Sequence, residues 1–416
     1  MGTVAPPGLS TTELPPGIPP LPPPDHYEPH IALILPLKSP AFGQAANVVQ
    51  QGFMAAALKQ IRNYPVRVYN SVDEGKDVID IYRQAVANGA VAIAGPLTRS
   101  GVSLLAGYPY IPVPTLAMNV PEQKSQQQNL YFYGLLPESE ARQVAQVAFN
   151  SGLRNATIIN TGTAIAKRLA AAFTEEWIRL GGTINGEVKY KEGDDTALLT
   201  NLPVAPWIGD PPPPPTKIEI SPTGEEIEVP VKRVGPPPVA PGNVAFLTGS
   251  FRQARLIRPY LNPSLPVYAT SQVFNVNANP LVNYDLNEIR FVDMPWVLQP
   301  DHPAVMIYPR AETQMDTEME RLYAFGIDSY RLLVTILNNK LGKALPLDGV
   351  TGKITMSEGN LFQREAATAI FRYGRGLTPE ALAAVEAEKA AAKAAEAAAR
   401  RAAADAAAQQ NTAPKK

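Results

Sequence analysis

Polar side chains follow the predicted strands in the first part of the chain, at the points where those strands end. They lie in the loops after apolar segments that begin at His30, Ala90 and Val113. Hydroxyls and the backbone N–H groups that open a helix can hold a carboxylate. In an open parallel sheet, ligands bind at the carboxyl ends of the strands. The sequence therefore predicts half of a site for a small carboxylate-bearing ligand, formed by Ser39, Phe42, Thr98, Arg99, Ser100 and Asn119.

A second set of hydroxyls follows strands predicted later in the chain. It consists of Thr163, Ser250 and Ser271, and would face the first set across a cleft. Serine and threonine at such positions also cap the helices behind the strands, so Ser100 and Thr163 fit either role. No acidic side chain stands out as a partner for a ligand ammonium group. This weighs against a free amino acid as the ligand.

The sequence contains no recognisable catalytic, metal-binding or nucleotide-binding motif. It has no cysteine, its three histidines are scattered, and it lacks both the Gly-x-Ser-x-Gly elbow and the Gly-x-x-x-x-Gly-Lys-Ser/Thr loop. Asp194 and Asp195 precede a predicted helix, where capping is the expected role. A net charge of −1 gives no field that attracts nucleic acid, and no segment is apolar enough to cross a membrane. We therefore predict a non-enzymatic binding protein without a metal or cofactor.

Alternating strand and helix patterns position the candidate residues. A buried strand, a polar loop and a helix start at His30, and the pattern repeats to about Met118. Such alternation with short loops predicts a parallel sheet with helices on both faces. A second cycle starts at Pro137. We predict an α/β protein of two lobes, with the chain crossing between them more than once: residues 30–136 plus about 273–345, and residues 137–272 plus about 346–376.

Proline-rich and alanine-rich segments lie outside this pattern. Residues 1–29 predict an extended, polyproline-like tether, with a proline-rich peptide ligand as the alternative. Within residues 203–242, apolar and charged residues alternate around a Pro-Thr-Gly turn, which predicts a β-hairpin insertion. It is either a tolerated surface insertion or a partner-binding arm. Residues 377–416 consist mainly of Ala, Glu, Lys and Arg, and predict an exposed helix or a disordered tail.

Five segments carry a resemblance to a known family. They are Leu35-Pro-Leu-Lys-Ser-Pro with Gly43-Gln-Ala-Ala, Tyr268-Ala-Thr-Ser, Arg290-Phe-Val-Asp-Met-Pro-Trp, Phe325-Gly-Ile-Asp-Ser-Tyr-Arg-Leu and Gly349-Val-Thr-Gly-Lys-Ile-Thr-Met. The chain resembles the penicillin-binding-protein activators, the LppC/LpoA-type outer-membrane lipoproteins of the type I periplasmic-binding-protein superfamily. The resemblance covers roughly residues 30–376 apart from the hairpin, and the helical-repeat domain of larger members has no counterpart in this sequence.

The resemblance implies a two-lobed type I fold and a protein that docks on a bifunctional penicillin-binding protein and stimulates crosslinking of the cell wall. Peptidoglycan or a small amino-acid-like ligand stays open as a further partner. Family members are lipid-anchored in the outer membrane through a cysteine, so we expect that the signal and the anchor were removed, with Met1 and Gly2 as an added start. Two alternatives remain: a substrate-binding protein of an amino-acid-type ABC transporter, and a structural protein with a vestigial cleft.

Overall fold

The computed structural model describes residues 18–60, 64–123, 125, 127–190, 193, 216–220, 226–230, 239–311 and 313–411. The strands are β1 His30–Leu35, β2 Val66–Asn70, β3 Ala90–Ala94, β4 Thr115–Ala117, β5 Leu130–Tyr133, β6 Asn155–Asn160, β7 Thr183–Lys189, β8 Thr216–Ile220, β9 Glu226–Pro230, β10 Asn243–Leu247, β11 Val267–Ala269, β12 Ile289–Asp293, β13 Leu347–Asp348, β14 Lys353–Ser357, β15 Leu361–Glu365, β16 Ala367–Arg372 and β17 Arg375–Leu377. The α-helices are α1 Gly43–Ala57, α2 Glu74–Ala87, α3 Arg99–Ala106, α4 Pro137–Asn150, α5 Ala164–Arg179, α6 Phe251–Ile257, α7 Pro295–Leu298, α8 Pro303–Met306, α9 Thr317–Leu337, α10 Leu341–Ala344 and α11 Pro379–Asn411.

The chain divides into two compact units, each built on one sheet. The first unit comprises Met1–Glu140, Asn275–Asn277 and Met294–Ala366, and the second comprises Ala141–Phe274, Ala278–Asp293 and Ala367–Lys416. The first sheet has the order β13-β14-β15-β5-β4-β3-β1-β2, and the second has the order β17-β16-β12-β11-β10-β6-β7. Strands β1 to β5 pair in parallel, as do β7, β6, β10, β11 and β12. Antiparallel strands close one edge of each sheet.

The strand pairing corrects the predicted lobe boundaries in two places. Residues 346–376 were expected in the second lobe, but β13, β14 and β15 extend the first sheet, because β15 pairs in parallel with β5. Only β16 and the residues after it join the second sheet, through β12. Residues 278–293, expected in the first lobe, belong to the second unit because β12 pairs with β11. Strand pattern fixes which face of a strand is buried, but not which sheet the strand joins.

The core of the first unit covers both faces of its sheet. Strand β1 is buried along its whole length, as its unbroken apolar sequence requires. Ile31, Leu33 and Leu35 pack with α1 and α9 on one face. The opposite face packs against α2 and α3. Alternate residues of one strand thus anchor both helical layers, and the loops after the strands are held in fixed positions.

In the second unit, aromatic side chains fasten α5 to the sheet. Phe173 stacks on Phe246 of β10 with ring centroids 4.1 Å apart, and on Trp177 at 5.3 Å. Trp177 also meets Phe149 of α4 edge-on, and its indole N–H donates to the carbonyl of Thr183 over 3.0 Å. Helices α4 and α5 are therefore side by side on one face of the second sheet.

The described part of the proline-rich segment, residues 18–29, which was predicted to be an extended tether, lies against helix α2. The guanidinium of Arg83 donates to the carbonyl oxygen of Pro19 over 3.1 Å, and the amide of Gln84 donates to that of Pro23 over 3.2 Å. Leu21 packs on the core beneath α2. A polyproline backbone has no internal hydrogen bonds, so its carbonyls are available to donors on a neighbouring helix. Residues 1–17 lie outside the described residues.

The hairpin and the tail take the secondary structure that their patterns predict. Strands β8 and β9 pair antiparallel, with Ile218 opposite Glu228 and Ile220 opposite Glu226. Each face of the hairpin therefore carries both apolar and charged side chains, so neither face is a continuous apolar surface. The segments around it, and Asp194 and Asp195 with their expected capping role, lie outside the described residues. Helix α11 continues to Asn411, and its described side chains beyond Leu382 are largely exposed.

Candidate functional site at the strand ends

Four of the six predicted first-lobe residues line one cavity. Ser39, Phe42, Thr98 and Ser100 surround a space of about 480 Å³ beyond the carboxyl ends of β1, β2 and β3. Phe42 is exposed and precedes α1, where its side chain makes no capping hydrogen bond. Thr98 caps α3, because its hydroxyl accepts from the N–H of Gly101 over 3.2 Å. The loops thus come together, and Thr98 has the helix-capping role.

The N-terminus of α3 already holds a carboxylate, which belongs to Glu74. One carboxylate oxygen accepts from the backbone N–H of Thr98 over 2.6 Å, and both lie 3.1 Å from the N–H nitrogen of Leu97. Glu74 is 1% exposed and lines the same cavity. Backbone N–H groups at a helix start are the ones that bind a ligand anion. In this chain the carboxylate of Glu74 accepts the hydrogen bonds of Leu97 and Thr98, the two residues that directly precede α3.

In the loop after β2, backbone N–H groups also donate hydrogen bonds to acidic side chains of the chain itself. The carboxylate of Asp77 accepts from the hydroxyl of Ser71 over 2.5 Å and from the N–H of Val72 over 2.9 Å. Asp73 caps α2 by accepting from the N–H of Gly75 over 3.1 Å, and it pairs with Lys76 at 2.9 Å. The loop between β2 and α2 therefore presents carboxylates, which would repel a ligand carboxylate.

Two predicted first-lobe residues do not line this cavity. Arg99 is exposed at the start of α3. The side-chain amide of Asn119 donates to the carbonyl of Leu97 over 3.0 Å, and its oxygen accepts from the N–H of Val120 over 2.9 Å. Asn119 thus ties the loop after β4 to the loop after β3, so its amide supports the strand ends.

In the second unit, the predicted hydroxyls cap helices or are buried. Thr163 caps α5 through the N–H of Ala166 at 3.1 Å. Ser250 forms a reciprocal capping box with Gln253. Ser271 is 3% exposed and starts a short 3₁₀ helix after β11. Only Thr163 lines the open groove of about 1300 Å³ beside β6, β7 and α5, so this groove does not unite the three.

Sequence reasoning missed Glu74 and Asp73. Acidic residues at the start of a helix are usually interpreted as favourable charges near the positive end of the helix dipole. That interpretation does not predict that Glu74 also accepts hydrogen bonds from the loop after β3. The hydrogen-bond partners of Glu74 lie more than 20 residues further along the chain, in the loop after β3. The available signal was the acidic pair that follows the second strand of a parallel sheet after a two-residue gap, at the edge where ligands bind.

Glu74 should make stability depend on pH. Burial raises the pKa of its carboxyl above the ordinary value of 4.5, although hydrogen bonds from Thr98 and Leu97 oppose this. The folded chain therefore holds the proton more tightly than the unfolded chain, and stability falls as pH rises through the window above 4.5. We expect the free energy of unfolding of wild type, minus that of Glu74→Gln, to fall as the pH rises above 4.5.

Urea unfolding at a series of pH values measures this difference. Glu122→Gln is the matched control, because Glu122 is exposed. Its difference from wild type should stay level over the same range. Parallel curves for wild type and Glu74→Gln would contradict the assignment of the titration to Glu74.

The described residues contain no group of three or more His, Asp or Glu side chains arranged to hold a metal ion. Among the described helices, none is both long and apolar enough to cross a membrane. Of the histidines, His30 is buried, and its ring lies 3.0 Å from the hydroxyl of Tyr69 and 2.6 Å from the carbonyl of Glu28. His302 caps α8 by accepting from the N–H of Ala304.

Comparison with known proteins finds a matching family and several similar relatives. Residues 27–199 and 242–374 match the family model described as "LppC putative lipoprotein". A protein of Pantoea ananatis (strain LMG 20103), "Penicillin-binding protein activator LpoA", is 25% identical over 365 residues, which cover 82% of this chain and 53% of that protein. The protein of the same name from Edwardsiella piscicida is 27% identical over 300 residues, covering 68% and 42%. The chain spans about half the length of the curated relatives it matches.

Solved structures share the fold. The "putative branched-chain amino acid ABC transporter" from Chromobacterium violaceum ATCC 12472 is 32% identical with a TM-score of 0.65, covering 83% of this chain and all of that one. The LpoA C-domain from Haemophilus influenzae, "a regulator of PBP1A", is 22% identical with a TM-score of 0.63, covering 84% and 99%. The predicted fold class is confirmed, with two largely parallel sheets flanked by helices, as in periplasmic-binding-protein-like structures. Because the family model matches most of its length, the chain belongs to the LppC lipoprotein family.

Proposed function

We propose that this chain is the binding domain of a non-enzymatic periplasmic activator, which docks on a bifunctional penicillin-binding protein and stimulates crosslinking of peptidoglycan. The curated relatives that it matches are named as activators of penicillin-binding proteins. The match to the Pantoea ananatis protein covers 82% of this chain, so the two proteins share nearly all of this domain. This supports an activator role for the shared domain.

The observation that carries the proposal is the position of Glu74. A receptor for amino acids needs free N–H donors at the strand ends to hold the ligand carboxylate. In the first unit, the donors of Leu97 and Thr98 are bound by the carboxylate of Glu74. A ligand anion would have to displace a buried side chain and leave a charge without its hydrogen bonds, which costs free energy. This supports a scaffold whose partner binds elsewhere, on an outer surface.

The rival function is that of a substrate-binding protein for an amino-acid-type ABC transporter. The similarity to the Chromobacterium violaceum protein favours it, because that chain is covered completely. Calorimetric titration with the common amino acids separates the two functions. We expect no saturable binding by wild type, whereas a receptor would bind one of them with micromolar or better affinity. The Glu74→Ala variant should be titrated in parallel, because it frees the N–H groups of Leu97 and Thr98 for a ligand carboxylate.

Direct binding to a purified bifunctional penicillin-binding protein tests the proposal, and deletion of residues 211–238 tests the hairpin. We expect saturable binding by the intact chain and an affinity within about twofold after the deletion. Residues 200–241 lie outside the family match, and both faces of the hairpin are mixed in polarity. Biosensor measurement of both chains on the immobilised synthase gives the comparison. A loss of about tenfold or more on deletion would make the hairpin a partner-binding arm.

We further propose a location in the periplasm, with the full-length precursor anchored in the outer membrane by a lipid. The support is the family, whose model describes lipoproteins. Fractionation of the source cells, with the protein traced by antibody, tests the location. Recovery in the outer-membrane fraction is expected, and recovery in the cytoplasm would contradict it.

A further inference from the structure

The second unit contains an apolar slot that lies away from the strand ends. It has a volume of about 380 Å³ and is bounded by α4, by the sheet strands β11, β12 and β16, and by the beginning of α11. Val144 and Val147 of α4 line one wall, and Leu377 and Leu382 line the other. We call this cavity the α4–α11 slot. Its size lies at the small end of the range for pockets that bind small molecules.

The sheet register explains the floor of the α4–α11 slot. Tyr268 of β11 pairs with Arg290 of β12, and Arg290 pairs with Ile370 of β16. Side chains of directly paired residues lie on the same face of a sheet. The next pair on this face is Val292 with Thr368. All five residues line the slot, and the hydroxyl of Tyr268 lies 3.4 Å from that of Ser151 on α4.

Arg290 is the unusual residue on this floor. It is half-buried on a strand that has a neighbour on each side, and on this face it lies among Tyr268, Val292 and Ile370. Its guanidinium lies 5.7 Å from the centre of the Tyr268 ring. Among the described residues, no carboxylate lies within ion-pair distance of it. The other arginine at the slot, Arg372, is different, because it pairs with Glu288 at 2.9 Å and with Glu386 at 3.0 Å.

The composition of α11 explains why the slot is open. The helix covers the sheet beside α4, but its sequence is dominated by alanine, and Leu382 is the large apolar side chain that it contributes to the wall. Alanine leaves space beside a sheet that a leucine-rich helix would fill. The result is a largely apolar space in which the guanidinium of Arg290 lies beside the hydroxyl-bearing side chain of Tyr268, with Ser151 within reach of that hydroxyl.

We infer that the α4–α11 slot binds a single-chain amphiphile with a carboxylate head, the alkyl chain lying between α4 and α11 and the carboxylate pairing with Arg290. A guanidinium binds a carboxylate through two parallel hydrogen bonds, and both groups of the pair are better satisfied than either would be alone in the slot. The apolar walls gain from covering the alkyl chain. A cationic head would meet Arg290 as a like charge, and an uncharged head would leave Arg290 without an anion.

Calorimetric titration of the full chain with decanoate, decanol and decylamine tests the inference. We expect saturable binding of one decanoate, with decanol and decylamine at least about tenfold weaker. This comparison uses wild type, so it does not depend on the folding of a variant. Failure of decanoate to bind, or equal affinity for decanol, overturns the inference. If the slot instead holds a segment of a protein, decanoate should fail to bind.

Variants locate the site. Arg290→Gln should weaken decanoate binding about tenfold, and Arg290→Lys should lose less because it keeps the charge. Leu382→Trp should fill the slot and abolish binding while leaving the circular dichroism spectrum unchanged. The matched control is Arg375→Gln, because Arg375 is exposed at the start of β17 and does not line the slot. Equal decanoate affinity in wild type and Arg290→Gln would place the ligand elsewhere and refute the assignment.

Discussion

Replacing Asp328 with alanine should lower the free energy of unfolding by about 3–5 kcal/mol. Asp328 lies in α9 and is fully buried. One carboxylate oxygen accepts from Arg331 over 2.8 Å and from the N–H of Val350 over 3.2 Å. The other accepts from the N–H and the hydroxyl of Thr351, over 2.8 and 2.7 Å. Alanine would leave all four donors without this acceptor, most of them in the interior.

The same carboxylate fixes the turn that precedes β14. The hydroxyl of Thr351 also lies 2.6 Å from the hydroxyl of Tyr133 on β5, so the network joins α9, the turn and the centre of the first sheet. Burial, followed by the charge of Asp328, raises the pKa of Tyr133, which therefore stays neutral. Loss of Asp328 should loosen β13 and β14 together.

Urea unfolding followed by tryptophan fluorescence measures the effect. Asp348→Ala is the control, because its side chain is 71% exposed and lies 3.7 Å from His302. An exposed pair of this kind contributes less than about 1 kcal/mol. A similarly small loss for Asp328→Ala would contradict the role assigned to the buried network.

The second large effect is expected where α1 crosses α9. A Cβ atom at Gly52 would lie 1.9 Å from the carbonyl oxygen of Tyr323, and one at Gly326 would lie 2.2 Å from that of Val49. These are backbone atoms, so the two helices must separate to admit a methyl group. We expect Gly52→Ala and Gly326→Ala each to lower the free energy of unfolding by about 3 kcal/mol, despite the higher helix propensity of alanine.

Gly342→Ala is the matched control for this pair. Gly342 also lies in a helix, and no atom lies within 4 Å of a Cβ placed there. Its replacement should leave stability unchanged or raise it by up to about 1 kcal/mol. Thermal unfolding of the three variants gives the comparison. If all three behaved alike, the close helix crossing could not be what holds α1 in place.

Local pattern predicted most elements of this chain, because a strand such as β1 and a helix such as α5 are specified by their own residues. It also gave the helix-capping alternative for Thr163, since capping depends on a residue three positions away. Long-range partners were out of reach. Sequence pattern could not reveal that Glu74 reaches the loop after β3 or that β15 pairs with β5.

Two segments that carry the family resemblance meet in space, a contact that local sequence patterns do not predict. The segment beginning at Phe325 contains Asp328. The segment beginning at Gly349 contains the backbone N–H groups that donate hydrogen bonds to its carboxylate. Gly349 leaves room for this contact, since a Cβ atom there would lie 2.6 Å from the carboxylate. One buried network of the first unit therefore joins two of the segments that carry the resemblance.

The proposed activator function requires a partner that the chain stimulates, so the most direct test is the activity of that partner. Crosslinked product formed by a purified bifunctional penicillin-binding protein should be measured with and without an excess of this chain. We predict a saturable increase in crosslinking, unchanged by added amino acids and lost when the chain is unfolded. No change in crosslinking, together with saturable binding of an amino acid by the same chain, would contradict the proposal and support the transporter function.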